Sequence, residues 1–152
     1  MVKTLAGYPC AHRQWRDTGH CRWIHGYSRT FTFTFAADAL DKHGWVLGFG
    51  QLKPLKTYLD SMFDHTLLLN NDDPLLPALL VLNGDAYTIR TLPNVGMEGT
   101  AKHLHGWVND WLYHTLDEQD MGRKVRCIAV ESRENDKNAA TYTLDRGTAS
   151  PL

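Results

Sequence analysis

Cysteine is scarce in this chain of 152 residues, which contains only Cys10, Cys21 and Cys127. The set is odd in number and contains no CxxC pair, which argues against a disulfide framework and excludes a zinc ribbon or finger. Cys10 and Cys127 stand among apolar or strand-like neighbours, so we expect both to be small buried residues. Cys21 lies in a segment rich in arginine and histidine, where a thiolate would be stabilised. Its neighbours alone are equally consistent with a reactive thiol and with an inert one.

The chain also lacks long apolar runs and an excess of charge of either sign. Its longest apolar run, PLLPALLVL, is about half a membrane span and contains two prolines. The N-terminal stretch MVKTLAGYPCAH lacks the apolar centre of a signal peptide. A formal net charge of −1 gives no electrostatic reason to expect nucleic acid or an acidic membrane surface as a partner. We therefore expect a cytoplasmic protein that binds neither.

The composition is sufficient for one folded unit. Hydrophobic residues make up 43% of the chain, and a chain of this length can bury one substantial core. We find no internal repeat and no long linker that would divide it. The sequence therefore predicts a single domain over residues 1–152.

Apolar periodicity predicts the order of the structural elements. The stretch 24–37 alternates phenylalanine with threonine (FTFTF), which is typical of a half-buried strand. Apolar side chains at helical spacing predict helices over residues 50–63 and 98–116. Further strands are predicted at residues 2–12, in AYTIRTL, and in a hairpin made of KVRCIAVES and AATYTL. The main order, strand, strand, helix, helix, strand, strand, indicates an α+β fold with helices on one face of an antiparallel sheet.

Two histidines stand where the first two predicted strands would meet. His12 near the end of one strand and His25 at the start of the next would lie together if the strands pair as a hairpin. Imidazoles on adjacent strands are natural zinc ligands, but a catalytic zinc needs about three protein ligands and an open position. The residue that shares the face of His25 is Tyr27. A zinc site and a purely structural pair of histidines therefore both remain open.

Carboxylates supply the other positions that could carry chemistry. Asp64 and His65 could form a carboxylate–imidazole couple that moves protons, or a charge pair at a helix end. Glu131 interrupts an apolar strand, where a carboxylate is costly unless something pairs with it. A bound polar ligand would account for Glu131, and so would an exposed strand end beside a turn.

Basic residues cluster near the histidines. Arg13, Arg16, Arg22 and Arg29 are opposed in that segment by a single acid, Asp17. Such a cluster in a nearly neutral protein would suit a phosphorylated ligand. A solvated positive loop is the alternative.

Taken together, these segments resemble one family in order and spacing. AHR, GHCRWIHGY, HGWVLGF, FDHTLLLN and VES, spread between residues 7 and 142, resemble the 6-pyruvoyl-tetrahydropterin synthase family. The closer likeness is to its bacterial branch, 6-carboxytetrahydropterin synthase, which supplies a precursor of queuosine and other 7-deazapurines. That branch shows a cysteine four residues before an HGH motif, and Cys21 and His25 have this spacing.

The resemblance implies a tunnelling fold (T-fold). Its unit is ββααββ, with an antiparallel four-stranded sheet and two helices on one face. The units assemble into homo-oligomers built on trimers, usually hexamers, with active sites between subunits. A zinc ion would be held by three histidines, at positions that match His12, His25 and residue 27. Zinc would polarise the side-chain oxygens of the substrate, and Cys21 would act as the general base.

The remaining roles are also implied by the resemblance. Asp64 and His65 would assist the cysteine in proton transfer. Glu131 would accept two parallel hydrogen bonds from the guanidine-like edge of a pterin. Ser132 follows it, where threonine is usual in the family.

The sequence departs from the family pattern at several positions. Tyr27 stands in place of the third histidine, and a neutral phenol is a poor zinc ligand. The third ligand would then be absent or supplied by another side chain, such as His20. Gly48 replaces an aspartate, and the segment VGMEG keeps only Glu98 of the PTxEN pattern.

The hypothesis that joins these observations is a zinc-dependent lyase. It would convert 7,8-dihydroneopterin triphosphate to 6-carboxytetrahydropterin. The alternative enzyme is a 6-pyruvoyl-tetrahydropterin synthase, which uses the same residues and keeps the three-carbon side chain. An alternative of another class is a non-catalytic T-fold module that binds pterins or purines, and a structural subunit without a small-molecule site is the simplest alternative.

Overall fold

The computed structural model describes residues 1–144 of the chain, and these residues form strands and helices close to the predicted positions. The strands are β1 (Val2–His12), β2 (His25–Ala36), β3 (Thr66–Asn70), β4 (Thr88–Leu92), β5 (Arg126–Arg133) and β6 (Ala139–Thr143). The helices are α1 (Lys53–Phe63), α2 (Leu76–Leu80), α3 (Met97–Thr115) and α4 (Glu118–Gly122). Short 3-10 turns occupy His20–Arg22 and Phe49–Leu52.

All the strands named above join one sheet in the order β4-β3-β1-β2-β5-β6. The pairs β1–β2, β2–β5 and β5–β6 are antiparallel, as predicted. The pairs β1–β3 and β3–β4 are parallel. The prediction of four antiparallel strands is therefore wrong in strand number, because two parallel strands extend the sheet beyond β1.

The missed strand, β3, has a physical explanation. All five of its residues, TLLLN, are buried. A strand buried on both faces carries no alternation of apolar and polar residues, and parallel strands usually have this character. The neighbouring strand β4 has a mixed pattern and was predicted from AYTIRTL.

The main core lies between the sheet and the two long helices. Phe31, Phe33 and Phe35 of β2 are buried on this face. Buried side chains of α1 and α3 belong to the same cluster, namely Leu55, Leu59, Phe63, Leu104, Val108 and Leu112. The prediction of two helices on one face of the sheet is thus confirmed. Each buried aromatic or aliphatic side chain stabilises the fold by about 1.5–3 kcal/mol relative to an exposed one.

The short helix α2 covers the other face of the sheet at its β3–β4 end. Leu67, Leu69 and Ile89 form a separate buried cluster, and Leu76 and Leu79 of α2 pack against it. This helix comes from the apolar run PLLPALLVL, so that run covers the sheet. Within residues 1–144, no helix has the length and apolarity needed to cross a membrane.

A bulge in β1 determines which of its side chains face the helices. The pairing of β1 with β2 shifts by one residue between Ala6 and Tyr8. Gly7, with φ of +87°, occupies the shift in a conformation that residues with a side chain rarely adopt. Successive strand residues point to opposite faces. The extra residue therefore changes which side chains of β1 point towards the core. Leu5 packs against the core before the bulge, whereas Tyr8 and His12 are buried after it.

Candidate active site

The candidate site begins where β1 ends and β2 starts. His12, the last residue of β1, pairs with His25, the first residue of β2. Gly26 allows the strands to approach closely here, since a Cβ at Gly26 would lie 3.1 Å from the Cys10 carbonyl oxygen. The two imidazole rings lie with centroids 4.4 Å apart. The structure therefore brings together the two histidines that the sequence proposed as metal ligands.

Tyr27 lies beside the two histidines. Its ring centroid is 5.7 Å from that of His25 and 6.3 Å from that of His12. The Tyr27 side chain is exposed to solvent. The tyrosine thus stands at the histidine pair, where the family would supply its third ligand.

A carboxylate that the sequence did not single out completes the group. Glu134 follows directly after β5, in the turn that leads to β6. One potential ligand atom from each of His12, His25 and Glu134 lies within 4.8 Å of the others. Within residues 1–144 this is the group of histidine, cysteine and acidic side chains with a spacing suited to a metal ion. His20, the substitute ligand considered from the sequence, is exposed and lies outside this group.

Each of the two histidines has a ring nitrogen that can bind a metal ion. His12 is 3% exposed, and its Nδ1 has no hydrogen-bond partner among residues 1–144. Burial, followed by the charges of Arg29 and His25, lowers the pKa of His12 to about 3, so its imidazole is neutral at physiological pH. The Nδ1 of His25 lies 2.6 Å from the carbonyl oxygen of Trp23. Because a carbonyl only accepts, Nδ1 must donate, so in the neutral form of His25 the free lone pair is on Nε2. The free ring nitrogens of His12 and His25 can therefore serve as ligands of a divalent metal ion.

Arg29 is a buried cation behind this group. It is fully buried and donates from Nη1 to Thr100 Oγ1 at 3.2 Å and from Nη2 to the Val95 carbonyl at 3.1 Å. Within residues 1–144 it has no carboxylate within ion-pair distance. Burial lowers its pKa, while Cys10 and Glu134 act in the opposite direction. Arg29 therefore joins β2 to the start of α3 and adds positive charge beside His12.

Three of the four arginines in the predicted basic cluster make polar contacts within the chain. Arg29 cannot meet a ligand at the surface because it is buried. The Nε of Arg13 lies 2.9 Å from Oδ2 of Asp73, and Arg16 pairs with Asp72. The phosphate-binding alternative is therefore wrong for the buried Arg29, and it stays a prediction for Arg13, Arg16 and Arg22.

Cys21 lies in the 3-10 turn His20–Arg22, before β2 begins. Its backbone is held at both ends: its N–H donates to Asp17 Oδ2 at 3.1 Å, and its carbonyl accepts from the Gln14 N–H at 2.8 Å. Its side chain is half-buried, whereas Cys10 and Cys127 are buried. Cys21 is thus the accessible thiol in the described part of the chain.

Alkylation should distinguish the three thiols. Burial raises the pKa of Cys10, and burial raises the pKa of Cys127 to about 12. At about pH 8 a thiol with that pKa is thiolate in only about one molecule in 10⁴, so its reaction is slow. We expect iodoacetamide to label Cys21 rapidly in the native protein, with Cys10 and Cys127 labelled only after denaturation. Peptide mass spectrometry provides the measurement, and Cys21→Ser should remove the fast label. Equal labelling rates for Cys21 and Cys127 would contradict the expectation.

Asp64 and His65 form a contact at the start of β3. Nδ1 of His65 lies 2.7 Å from Oδ1 of Asp64, and the His65 N–H donates to the Pro9 carbonyl at 2.8 Å. His65 has φ of +54°, a strained conformation for a residue with a side chain. That conformation allows adjacent side chains to meet, although they usually point apart. Both side chains are exposed, and no hydrogen bond within residues 1–144 joins them to Cys21.

Glu131 and Ser132 point to opposite faces of β5. Ser132 is fully buried and its Oγ lies 3.4 Å from Sδ of Met97, under α3. Glu131 is half-buried on the other face and accepts from Nε of Arg133 at 3.0 Å through Oε1. The structure thus places Glu131 on a face where a ligand can approach, and Ser132 in the core.

Comparison with known proteins agrees with this fold and this order of motifs. The model of the 6-pyruvoyl tetrahydropterin synthase family matches residues 2–145. The chain belongs to this family. A family relative, 6-carboxy-5,6,7,8-tetrahydropterin synthase of Bacillus subtilis, is 30% identical over 131 residues, which cover 86% of this chain and 75% of that protein.

Other relatives match a shorter region. The Rickettsia typhi protein of the same name is 38% identical over 73 residues, or 42% of this chain. This chain spans about half the length, 53%, of the Rickettsia relatives it matches.

Solved structures of low identity show that the chain has the family's T-fold. An uncharacterized protein from Wolinella succinogenes has a TM-score of 0.75 at 20% identity, covering 95% of this chain and 99% of that chain. The 6-pyruvoyl tetrahydropterin synthase of Plasmodium vivax has a TM-score of 0.59 at 15% identity, covering 93% of this chain and 97% of that chain.

Proposed function

We propose that this family member is a 6-carboxytetrahydropterin synthase that acts on 7,8-dihydroneopterin triphosphate. The observation that carries the proposal is the pair of histidines at the junction of β1 and β2. It occurs in a chain that is similar over 86% of its length to a Bacillus subtilis protein of that name. The homo-oligomer implied by the family, trimer-based and usually hexameric, is part of the proposal.

The roles of the metal and the base are those that the family resemblance implies, and the geometry of the site supports them. His12 and His25 would hold a zinc ion, which when bound would act as a Lewis acid on the substrate's side-chain oxygens. The Cys21 thiolate would remove a proton from that side chain. Its held backbone and half-buried position support this role, because a general base must be fixed yet reachable.

The Asp64–His65 couple would carry the proton away from the reacting carbon. With Asp64 as hydrogen-bond partner of Nδ1, the imidazole of His65 keeps Nε2 free to exchange a proton. The accessible position of both side chains supports the role, since the couple has to receive and release protons.

Glu131 would orient the pterin ring. Because Glu131 lies on the face of the sheet opposite His12 and His25, one substrate would contact both only in a site formed between subunits. Both contacts from Arg133 go to Oε1 of Glu131, which leaves Oε2 available to a ligand. A carboxylate oxygen can accept more than one hydrogen bond. A pterin could therefore bind across both oxygens while Arg133 still contacts one of them. Ser132, buried beneath α3, would support the position of Glu131 through the backbone rather than touch the ring.

Product analysis provides the test. Purified protein without an affinity tag is supplied with zinc and incubated with 7,8-dihydroneopterin triphosphate, and the pterin product and acetaldehyde are quantified. We expect 6-carboxytetrahydropterin, triphosphate and acetaldehyde in equal amounts. A 6-pyruvoyl product without acetaldehyde would identify the alternative enzyme. Pterin binding without turnover would favour the non-catalytic module, and a lack of both would favour the structural subunit.

A further inference from the structure

Glu134 reaches the histidine pair because of the way the hairpin β5–β6 is built. On β5, Val130 and Ser132 point into the core, and alternation continues this inward direction to Glu134. The strand ends at Arg133, so Glu134 is the first residue of the turn. Its backbone N–H donates to the Asn138 carbonyl at 3.0 Å, which closes the turn. The glutamate is thus fixed at a defined place and directed towards the helix-facing side of the sheet.

Only one oxygen of the Glu134 carboxylate, Oε2, accepts hydrogen bonds from residues 1–144. The side-chain amides of Asn135 and Asn138 donate to Oε2 at 3.4 and 3.3 Å. Within residues 1–144, no cationic side chain lies within ion-pair distance of Glu134. A half-buried carboxylate normally has a stronger partner than two long amide contacts. The ligand atoms of His12 and His25 lie within 4.8 Å of the Glu134 carboxylate, and lone pairs grouped in this way are complementary to a cation.

Tyr27 is a weaker candidate for the third position. A phenol has a pKa of about 10, and metal ligands generally bind deprotonated. A carboxylate is already ionised at neutral pH and is an ordinary zinc ligand. Two histidines and one glutamate are a known donor set of catalytic zinc sites that keep a position open for substrate.

The charge of Arg29 also favours a carboxylate over a third histidine as the remaining ligand of a divalent ion. A divalent ion bound near a buried guanidinium is repelled by it, and this repulsion is strong where water is excluded. A third histidine would add no negative charge to offset it, whereas Glu134 adds one. Burial lowers the pKa of Arg29, and the charge of Glu134 acts in the opposite direction.

We propose that Glu134 is the third protein ligand of the divalent metal ion held by His12 and His25. The site would then contain two histidines and one carboxylate, where the family resemblance implied three histidines. Tyr27 would stand beside the ion without binding it. The inference rests on the proposed function, which includes a bound metal ion. It adds only the identity of the ligands.

Zinc affinity of the metal-free protein, measured by competition with a chromophoric chelator, tests the ligand set. Loss of an outer hydrogen-bond partner of a ligand costs about 10–100-fold in affinity, so loss of a direct ligand in Glu134→Gln should cost at least about 100-fold. Asp136→Asn is the matched control, because it removes the same charge two residues away in the same turn. Its affinity should stay within about threefold of wild type, since an exposed charge is screened by salt.

Variants at Tyr27 sharpen the test. Tyr27→Phe should leave the affinity within about threefold, because the phenol is not a ligand. Tyr27→His combined with Glu134→Gln should recover at least about tenfold of the lost affinity by supplying an imidazole at the family's position. Circular dichroism and thermal unfolding of the metal-free variants check that each one folds. If Glu134→Gln does not fold, Glu134→Asp takes its place and should weaken binding at least about tenfold.

Several results would overturn the inference. These are wild-type affinity in Glu134→Gln, loss of affinity in Tyr27→Phe, and absence of zinc binding in the wild type. Binding is measured without substrate, so the outcome is separate from that of the product analysis. Zinc held through Glu134 without turnover would contradict the proposed function alone. Turnover with wild-type zinc affinity in Glu134→Gln would contradict the inference alone.

Discussion

Under the proposed function, Cys21→Ala should lower the turnover of 7,8-dihydroneopterin triphosphate by about 10²–10⁴-fold, which is the usual contribution of a positioned general base. The 3-10 turn fixes the backbone of Cys21 through Asp17 and Gln14, so the thiol has a defined position. Alanine preserves the turn, because both of these contacts involve the backbone. The loss should therefore appear in kcat, with KM changing much less, since the role proposed for the thiol is to act on the reacting proton rather than on ground-state binding.

The measurement is steady-state kinetics of zinc-loaded protein, with the metal content of each variant checked. Cys127→Ala is the matched control, because it removes a buried thiol in β5, opposite the far end of β2. Its turnover should stay within about threefold of wild type, since a buried cysteine acts as a small apolar residue. If Cys21→Ala retains more than about a tenth of the wild-type kcat, the cysteine is not the base.

The sequence predicted the strands and helices in which apolar residues recur at a regular spacing. The FTFTF alternation of β2 and the apolar stripe of α3 depend only on local spacing, and both elements form close to the predicted residues. The strand β3 carries no period because it is buried on both faces. The glycine bulge in β1 weakens the alternation of that strand by reversing it part-way. The number of strands was therefore missed at β3, where burial on both faces removed the local signal, whereas β1 forms at the predicted residues despite its bulge.

The sequence predicted the part of the candidate site that two consecutive strands bring together. His12 and His25 meet because β1 and β2 are consecutive and antiparallel. Glu134 was missed because the turn RENDKN has the composition of an ordinary loop. Its place at the histidines depends on the pairing of β2 with β5, which are far apart in the sequence.

Arg29 illustrates a signal that was present in the sequence but was interpreted differently. It precedes Phe31, Phe33 and Phe35 at the same alternation, so the strand pattern alone places it on the buried face. The prediction grouped it with the arginines of the preceding loop because of its charge. Position in a strand, rather than charge, determined the environment of this side chain.

Phe31→Ala should lower the free energy of unfolding by about 3–5 kcal/mol, the range for removal of a buried phenylalanine. Phe31 is fully buried, and its ring centroid lies 4.7 Å from that of Phe63 in α1 and 5.6 Å from that of Tyr8 in β1. The variant therefore loses contacts that join two strands and a helix, and leaves a cavity that its surroundings fill only in part. Urea denaturation at a fixed protein concentration provides the measurement, since association of subunits makes apparent stability depend on concentration.

Thr32→Ala is the matched control for Phe31→Ala, because it changes the next residue of the same strand on the opposite face. Thr32 loses only a hydroxyl contact with Thr4 at 3.1 Å, so the expected cost is below about 1 kcal/mol. A domain of this size is stable by about 5–15 kcal/mol, so the phenylalanine variant would lose a large share of the total and the threonine variant a small one. Similar costs for the two variants would show that the core between the sheet and the helices is not centred on β2. The contrast between adjacent residues thus tests the alternation from which this strand was predicted.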